Sequence, residues 1–201
     1  MSRFIVSLLG GVGLMVLVAG LVSAHVTPPV VLTSDREALA GLLGGSRRFF
    51  VREVRLSPAE RGAIQKQSGW TPAEDFYRFY LGRDDQGALV AATIFMTEYT
   101  LHGPVRVAVG LGPDGKVKGA QVVEITEETY PWVKPLIDQD FARDYVGQGS
   151  TGRYVLTDRV RTAGDSMTQF YGQVIVSLIQ RAVILYDTTV LKRPPAGDAA
   201  R

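Results

Sequence analysis

The sequence predicts an α+β fold: an antiparallel sheet packed by helices, preceded by one N-terminal transmembrane or signal helix. Three observations predict it. Phe4 to Ala24 is a 21-residue run without a charge. Three β-rich runs then follow one another with no helix between them, and the last helix is apolar on nearly every side.

As a helix the leading run would be about 31 Å long, roughly the hydrocarbon thickness of a bilayer. Arg3 precedes it and no acidic residue comes before Asp35. That bias places the N-terminus in the cytoplasm and exports the rest. Val22-Ser23-Ala24 also fits a signal-peptidase site. A retained anchor and a cleaved signal peptide both stay open, and both put residues 25–201 on the extracytoplasmic, periplasmic side.

Thr27-Pro28-Pro29 reads as an extended spacer, because each proline disfavours helix in the residue before it. Asp35 to Leu43 carries Leu39, Leu42 and Leu43 at helical spacing and stops at Gly44-Gly45. Phe49 to Leu56 reads as a strand. Ser57, Pro58 and Glu60 open a helix that ends near Gly69: a capping serine, a first-turn proline and a capping-box glutamate.

The β-rich runs are Phe76 to Leu81, Leu89 to Tyr99 and Val105 to Leu111, the last turning through Gly112-Pro113-Asp114-Gly115 into Val117 to Ile125. A helix is predicted around Trp132 to Asp144, a glycine-rich loop at 147–152, and a last helix from about Gln169 to Tyr186. In that helix Val176, Ile179 and Val183 add to an apolar face of Tyr171, Val174, Ile175, Leu178, Ala182 and Leu185. Such a helix is buried on several sides or docked on a partner, and burial is the expectation.

Composition excludes several function classes. Lys plus Arg total 22 against 20 for Asp plus Glu, a net charge of +2 that gives no case for nucleic-acid binding. No cysteine is present, which removes disulfides, thiolate metal sites, iron–sulfur clusters and cysteine nucleophiles. His25 and His102 are too few for a multi-histidine metal site. No G-x-S-x-G elbow supports a hydrolase, and Glu124, Glu127 and Glu128 read as a solvated rim. Redox chemistry would therefore need a cofactor held by oxygen and nitrogen groups.

One segment stands apart: Ala163-Gly164-Asp165-Ser166-Met167-Thr168, directly before the last helix. Gly164 permits a tight backbone. Ser166 and Thr168 then place two hydroxyls at a helix N-terminus, whose free N–H groups attract an anion such as phosphate. Ser166-Met167-Thr168-Gln169 equally fits a plain capping box, S-x-x-Q. Local physics leaves both readings open.

In order along the chain, His102-Gly103-Pro104, Asp114-Gly115-Lys116-Val117, Glu128-Thr129-Tyr130-Pro131, Phe141, Gly147-Gln148 and the Gly164–Thr168 segment resemble the FMN-binding domain family. That family includes the small flavin subunits of the sodium-translocating NADH:quinone oxidoreductase and of the Rnf complex, and related exported flavoproteins. The resemblance covers about residues 85–187. It implies FMN joined by a phosphoester to a hydroxyl, attached by a flavin transferase outside the cytoplasm. By position the acceptor is Ser166, with Thr168 as the second hydroxyl beside Gly164, Asp165 and Met167. Two departures stand out: Asp165 replaces a small residue and sets a negative charge beside the phosphate, and Ser166 replaces threonine. Glu128, Thr129, Tyr130, Trp132 and His102 are the candidates for flavin contact, since flat aromatic surfaces stack on the ring.

With the charge-free run and the resemblance together, the chain divides into the signal or anchor (1–24), an N-terminal α/β extension (25–84), an FMN-binding domain (85–190) and a flexible tail (191–201). The implied function is electron relay to or from a membrane redox protein or complex, with the N-terminal helix holding the chain at the membrane. The alternative is a degenerate domain without flavin that serves as an assembly or interaction subunit.

Overall fold

The computed structural model of the chain describes residues 27–162 and 164–193. The predicted N-terminal transmembrane or signal helix (1–24) lies outside the described residues, as does the tail from residue 194. Among the described residues no helix is long and apolar enough to cross a membrane.

Six strands form one antiparallel sheet: β1 (Pro29–Val31), β2 (Arg48–Val54), β3 (Tyr77–Arg83), β4 (Leu89–Thr100), β5 (Gly103–Leu111) and β6 (Val117–Thr126). Their spatial order is β1-β6-β5-β4-β3-β2, so β2 to β6 run as a meander and β1 closes the far edge. The second spacer proline is part of this edge: Pro29 pairs with Thr126 and Val31 with Glu124. Proline lacks an N–H and is tolerated there because an edge strand needs only one of its two rows of partners.

The first two helices start where the sequence places them. In α1 (Asp35–Leu42) the Ser34 hydroxyl accepts the Glu37 N–H at 3.2 Å and the Glu37 carboxylate accepts the Ser34 N–H at 3.0 Å. Ser57 and Glu60 repeat the exchange at 3.2 and 2.8 Å ahead of α2 (Pro58–Ser68). Each such cap contributes about 1 kcal/mol.

The sheet buries both faces. Phe79 and Leu81 of β3, Ile94 and Met96 of β4 and Val105, Val107 and Val109 of β5 join the main core with α5 (Ser166–Thr189). On the other face Ala108 and Val123 meet Ala38 and Leu42 of α1. Asp35 fixes that helix by a bidentate pair with Arg106 of β5, at 2.6 and 2.8 Å.

Helix α5 is buried on several sides, as its apolar circumference predicts. It packs on β4, β5 and β6, on α2, on α3 (Tyr130–Asp138) and on α4 (Asp158–Thr162). Its remaining polar stripe includes Arg181, which pairs with Glu98 and lies 5.2 Å over the Trp70 ring.

Three local expectations are corrected. The helix predicted around Trp132 to Asp144 is two pieces: α3 stops at Asp138, and a 3₁₀ turn spans Phe141–Tyr145. Between them Asp140 adopts a left-handed backbone, φ 48°, which an α-helix cannot pass through. Helix α4 has no counterpart in the sequence reading. Its five residues bury only Val160, too little for a period to register. The last helix also extends further at both ends than predicted, starting at Ser166.

Candidate functional site

The β4–β5 turn carries His102. Gly103 follows it with φ 102°, a conformation that favours glycine, and a Cβ there would strike the Thr126 methyl. The Thr126 hydroxyl donates to the His102 carbonyl at 2.7 Å, and the Thr100 hydroxyl accepts the His102 N–H at 3.2 Å. His102 Nδ1 lies 2.7 Å from Glu128 Oε1, so the ring is held at both its backbone and its side chain.

Thr129 is fully buried and donates its hydroxyl to the Thr126 carbonyl at 3.1 Å, bracing the start of α3. Within the first turn of α3, Trp132 meets the His102 ring edge-on, centroids 5.1 Å apart. It also stacks on Tyr171 of α5 at 5.7 Å, with the planes 8° apart. Phe170 meets Tyr171 edge-on at 5.2 Å, and the Thr100 hydroxyl is 3.3 Å from the Tyr171 hydroxyl. Burial pushes the Tyr171 phenol above its ordinary pKa, so it stays protonated at neutral pH and keeps a proton to donate.

The structure therefore brings His102, Glu128 and Trp132 together, with Thr129 behind them. Tyr130 goes elsewhere. It lines a separate cavity of about 290 Å³ with Leu32, Gln121 and Lys134. Tyr171, Phe170 and Thr100 complete the cluster and were not among the predicted site residues. Tyr171 stands three residues after Thr168, and both are buried, so they share one helix face. That spacing was the available signal.

The Gly164–Thr168 segment opens α5. The cap is Asp165, not Ser166: the Asp165 carboxylate accepts the Thr168 N–H at 2.8 Å, which holds its carboxyl below the usual carboxylate range. Aspartate caps as well as serine does, and it stands one residue earlier. The S-x-x-Q box is not formed, and Gln169 donates its side-chain amide to the Arg161 carbonyl at 3.0 Å instead. Gly164 lies against Thr168 so closely that a Cβ would sit 2.6 Å from its Cβ and Cγ2. Thr168 is buried, Met167 half-buried and Ser166 exposed. Of the two hydroxyl residues only Ser166 stands open to solvent. Ser166 and Phe170, four residues apart, lie on one exposed face.

A cleft of about 670 Å³ contains none of these residues. It opens beside Trp70, Phe76, Tyr80 and Phe95, and its arginines are already paired: Arg78 with Glu53, Arg106 with Asp35 and Arg181 with Glu98. A phosphate would find no free guanidinium there. Among the described residues no group of three or more metal-ligating side chains gathers. Scanned against protein-family models and searched against curated proteins, the chain finds no match.

Proposed function

We propose that the chain is an extracytoplasmic flavoprotein, held at the membrane by its apolar N-terminal run, that carries FMN and relays electrons to or from a membrane redox protein. The observation that supports this best is the meeting of two features. The exposed Ser166 hydroxyl opens α5, and the stacked Trp132–Tyr171 pair, bordered by His102 and Phe170, abuts the same helix one turn later. The residues fit the group. Ser166 offers an accessible hydroxyl for a phosphoester, Gly164 lets the backbone close over Thr168, and the half-buried Trp132 and exposed Phe170 offer ring surface beside it, with the buried Tyr171 behind them. FMN, when bound, supplies the electron-carrying chemistry that the side chains lack.

The protein's own part is positioning. The His102–Glu128 pair fixes the imidazole against the Trp132 ring, and the Tyr171 hydroxyl keeps its proton. Co-expression with a flavin transferase tests the reading: the full chain should gain the mass of FMN and fluoresce on a denaturing gel, and Ser166→Ala should lose both. An unmodified chain under those conditions rejects covalent loading.

Asp165 favours a second reading, a domain without flavin that serves as an assembly subunit. Its carboxylate already takes a helix N–H where a phosphate would sit. A colourless protein that still co-purifies with a membrane partner would select it.

A further inference from the structure

We propose that β2 is a docking edge for an extended segment of a partner protein that pairs as a seventh strand and carries acidic side chains four residues apart. Among the described residues β2 is the outermost strand and pairs only with β3, which leaves one row of its backbone N–H and C=O groups without a strand partner. The other sheet edge is closed by the three-residue β1, whereas β2 runs seven residues. Six of those seven are exposed, including Phe49 at 58%, Phe50 at 51% and Val51 at 51%.

Alternation sorts the strand into two faces. Phe49, Val51 and Glu53 share the face of Tyr80, and its charges are already matched. Glu53 pairs with Arg78 at 2.7 Å, and the neighbouring Arg47 pairs with Asp85 at 3.5 Å. The opposite face presents Arg48, Phe50 and Arg52 in that order, and neither arginine has an ion-pair partner among the described residues. A strand laid along this edge meets a cation, an aromatic ring and a cation at every second residue. Its complement is an acidic, an apolar and an acidic side chain at the same spacing, with apolar residues between them against Phe49 and Val51.

The same pattern argues against a second copy of this chain. Antiparallel self-pairing centred on Phe50 sets Arg48 directly opposite Arg52, and like charges in that position repel. A membrane surface would leave the open backbone groups unpaired in an apolar layer, which is costly.

The probe is a fluorescein-labelled peptide, Ser-Glu-Val-Tyr-Val-Glu-Ser, titrated by anisotropy against the full chain in detergent micelles. Saturable binding is expected. It should weaken about tenfold when both glutamates become lysine, and about tenfold in R48E/R52E, whose exposed side chains leave the melting temperature unchanged. N-methylation at alternate peptide nitrogens should abolish binding, since it blocks the strand ladder without altering charge.

Three results overturn the proposal. One is no saturable binding, or equal binding of the lysine peptide. Another is a concentration-dependent dimer in sedimentation velocity that the peptide does not disrupt, which assigns the edge to a second copy. The third is R48E/R52E releasing the chain from phosphatidylglycerol vesicles while peptide binding is unaltered, which assigns it to the membrane surface. None of these readouts involves flavin, so they stand whether or not the chain carries FMN.

Discussion

The Asp165 carboxylate caps α5 through the Thr168 N–H, and the same charge faces the place proposed for a phosphoester. The two roles separate by substitution. Asp165→Asn keeps a capping oxygen and removes the charge, so stability should hold within about 0.5 kcal/mol while flavin loading by a co-expressed transferase rises. Asp165→Ala should lose about 1 kcal/mol in denaturant titration, with loading again raised. A loss of loading in both variants would make the carboxylate part of the attachment site. Trp132 gives a second residue-scale test. Trp132→Leu keeps an apolar side chain but removes the stack on Tyr171, and should cost about 1 kcal/mol and flatten the near-ultraviolet dichroism. His102, Glu128 and Trp132 were legible because each sits within a few residues of a turn or a helix start. The Tyr171 stack on Trp132 was only half legible: the spacing from Thr168 gives the helix face, but the phase of α5 against α3 is encoded by no local pattern.

Helix α5 sets the layout of the elements around it. Its apolar circumference was readable as burial, yet which neighbours cover it follows only from the packing of the sheet, α2, α3 and α4. Leu178 and Ser177 adjoin in sequence and differ in surroundings: Leu178 is fully buried, while Ser177 is half-exposed and returns its hydroxyl to the Gln173 carbonyl at 2.8 Å. Leu178→Ala should cost about 2–5 kcal/mol by urea unfolding, and Ser177→Ala less than about 0.5 kcal/mol. Comparable losses at both positions would mean that the polar stripe is also covered. The capping box of α2 was legible because both partners of each hydrogen bond lie within four residues; the Ser34–Glu37 box of α1 has the same spacing but was not among the predictions. Helix α4 was not, since Arg159 ties it to the Gln139 and Asp140 carbonyls and to the Asp144 carboxylate, contacts at least 15 residues away.

Across the whole molecule, carboxylates join parts that the chain keeps far apart. Asp35 binds α1 to β5 through Arg106, 71 residues on. Glu60 joins the start of α2 to Lys192, 132 residues on, at 2.8 Å. The meander was legible from its turns, but these long ties were not, because nothing in a sequence marks which arginine or lysine will meet a given acid. They leave a signature in pH. The Arg106 guanidinium holds the Asp35 carboxyl below its ordinary 3.8, and Lys192, helped by the Ser57 N–H, holds Glu60 below its ordinary 4.5. A carboxyl whose pKa is lower in the folded state releases its proton more readily there, so acid favours the unfolded chain. The stability each supplies is complete above its unfolded value and is lost as pH falls through the folded one. Melting temperature should therefore be level above about pH 5 and decline below about pH 4.5. Both pairs are partly exposed, so salt should shrink the acid decline and each pair's share should be modest. Asp35→Asn should lower the plateau and make the decline shallower, while Arg78→Gln, which breaks an exposed pair with Glu53, should leave the acid limb of the curve nearly unchanged. A pH series of thermal melts on the three proteins decides it, and an unaltered acid limb in Asp35→Asn would remove the Asp35–Arg106 pair from the account of how α1 is held on the sheet.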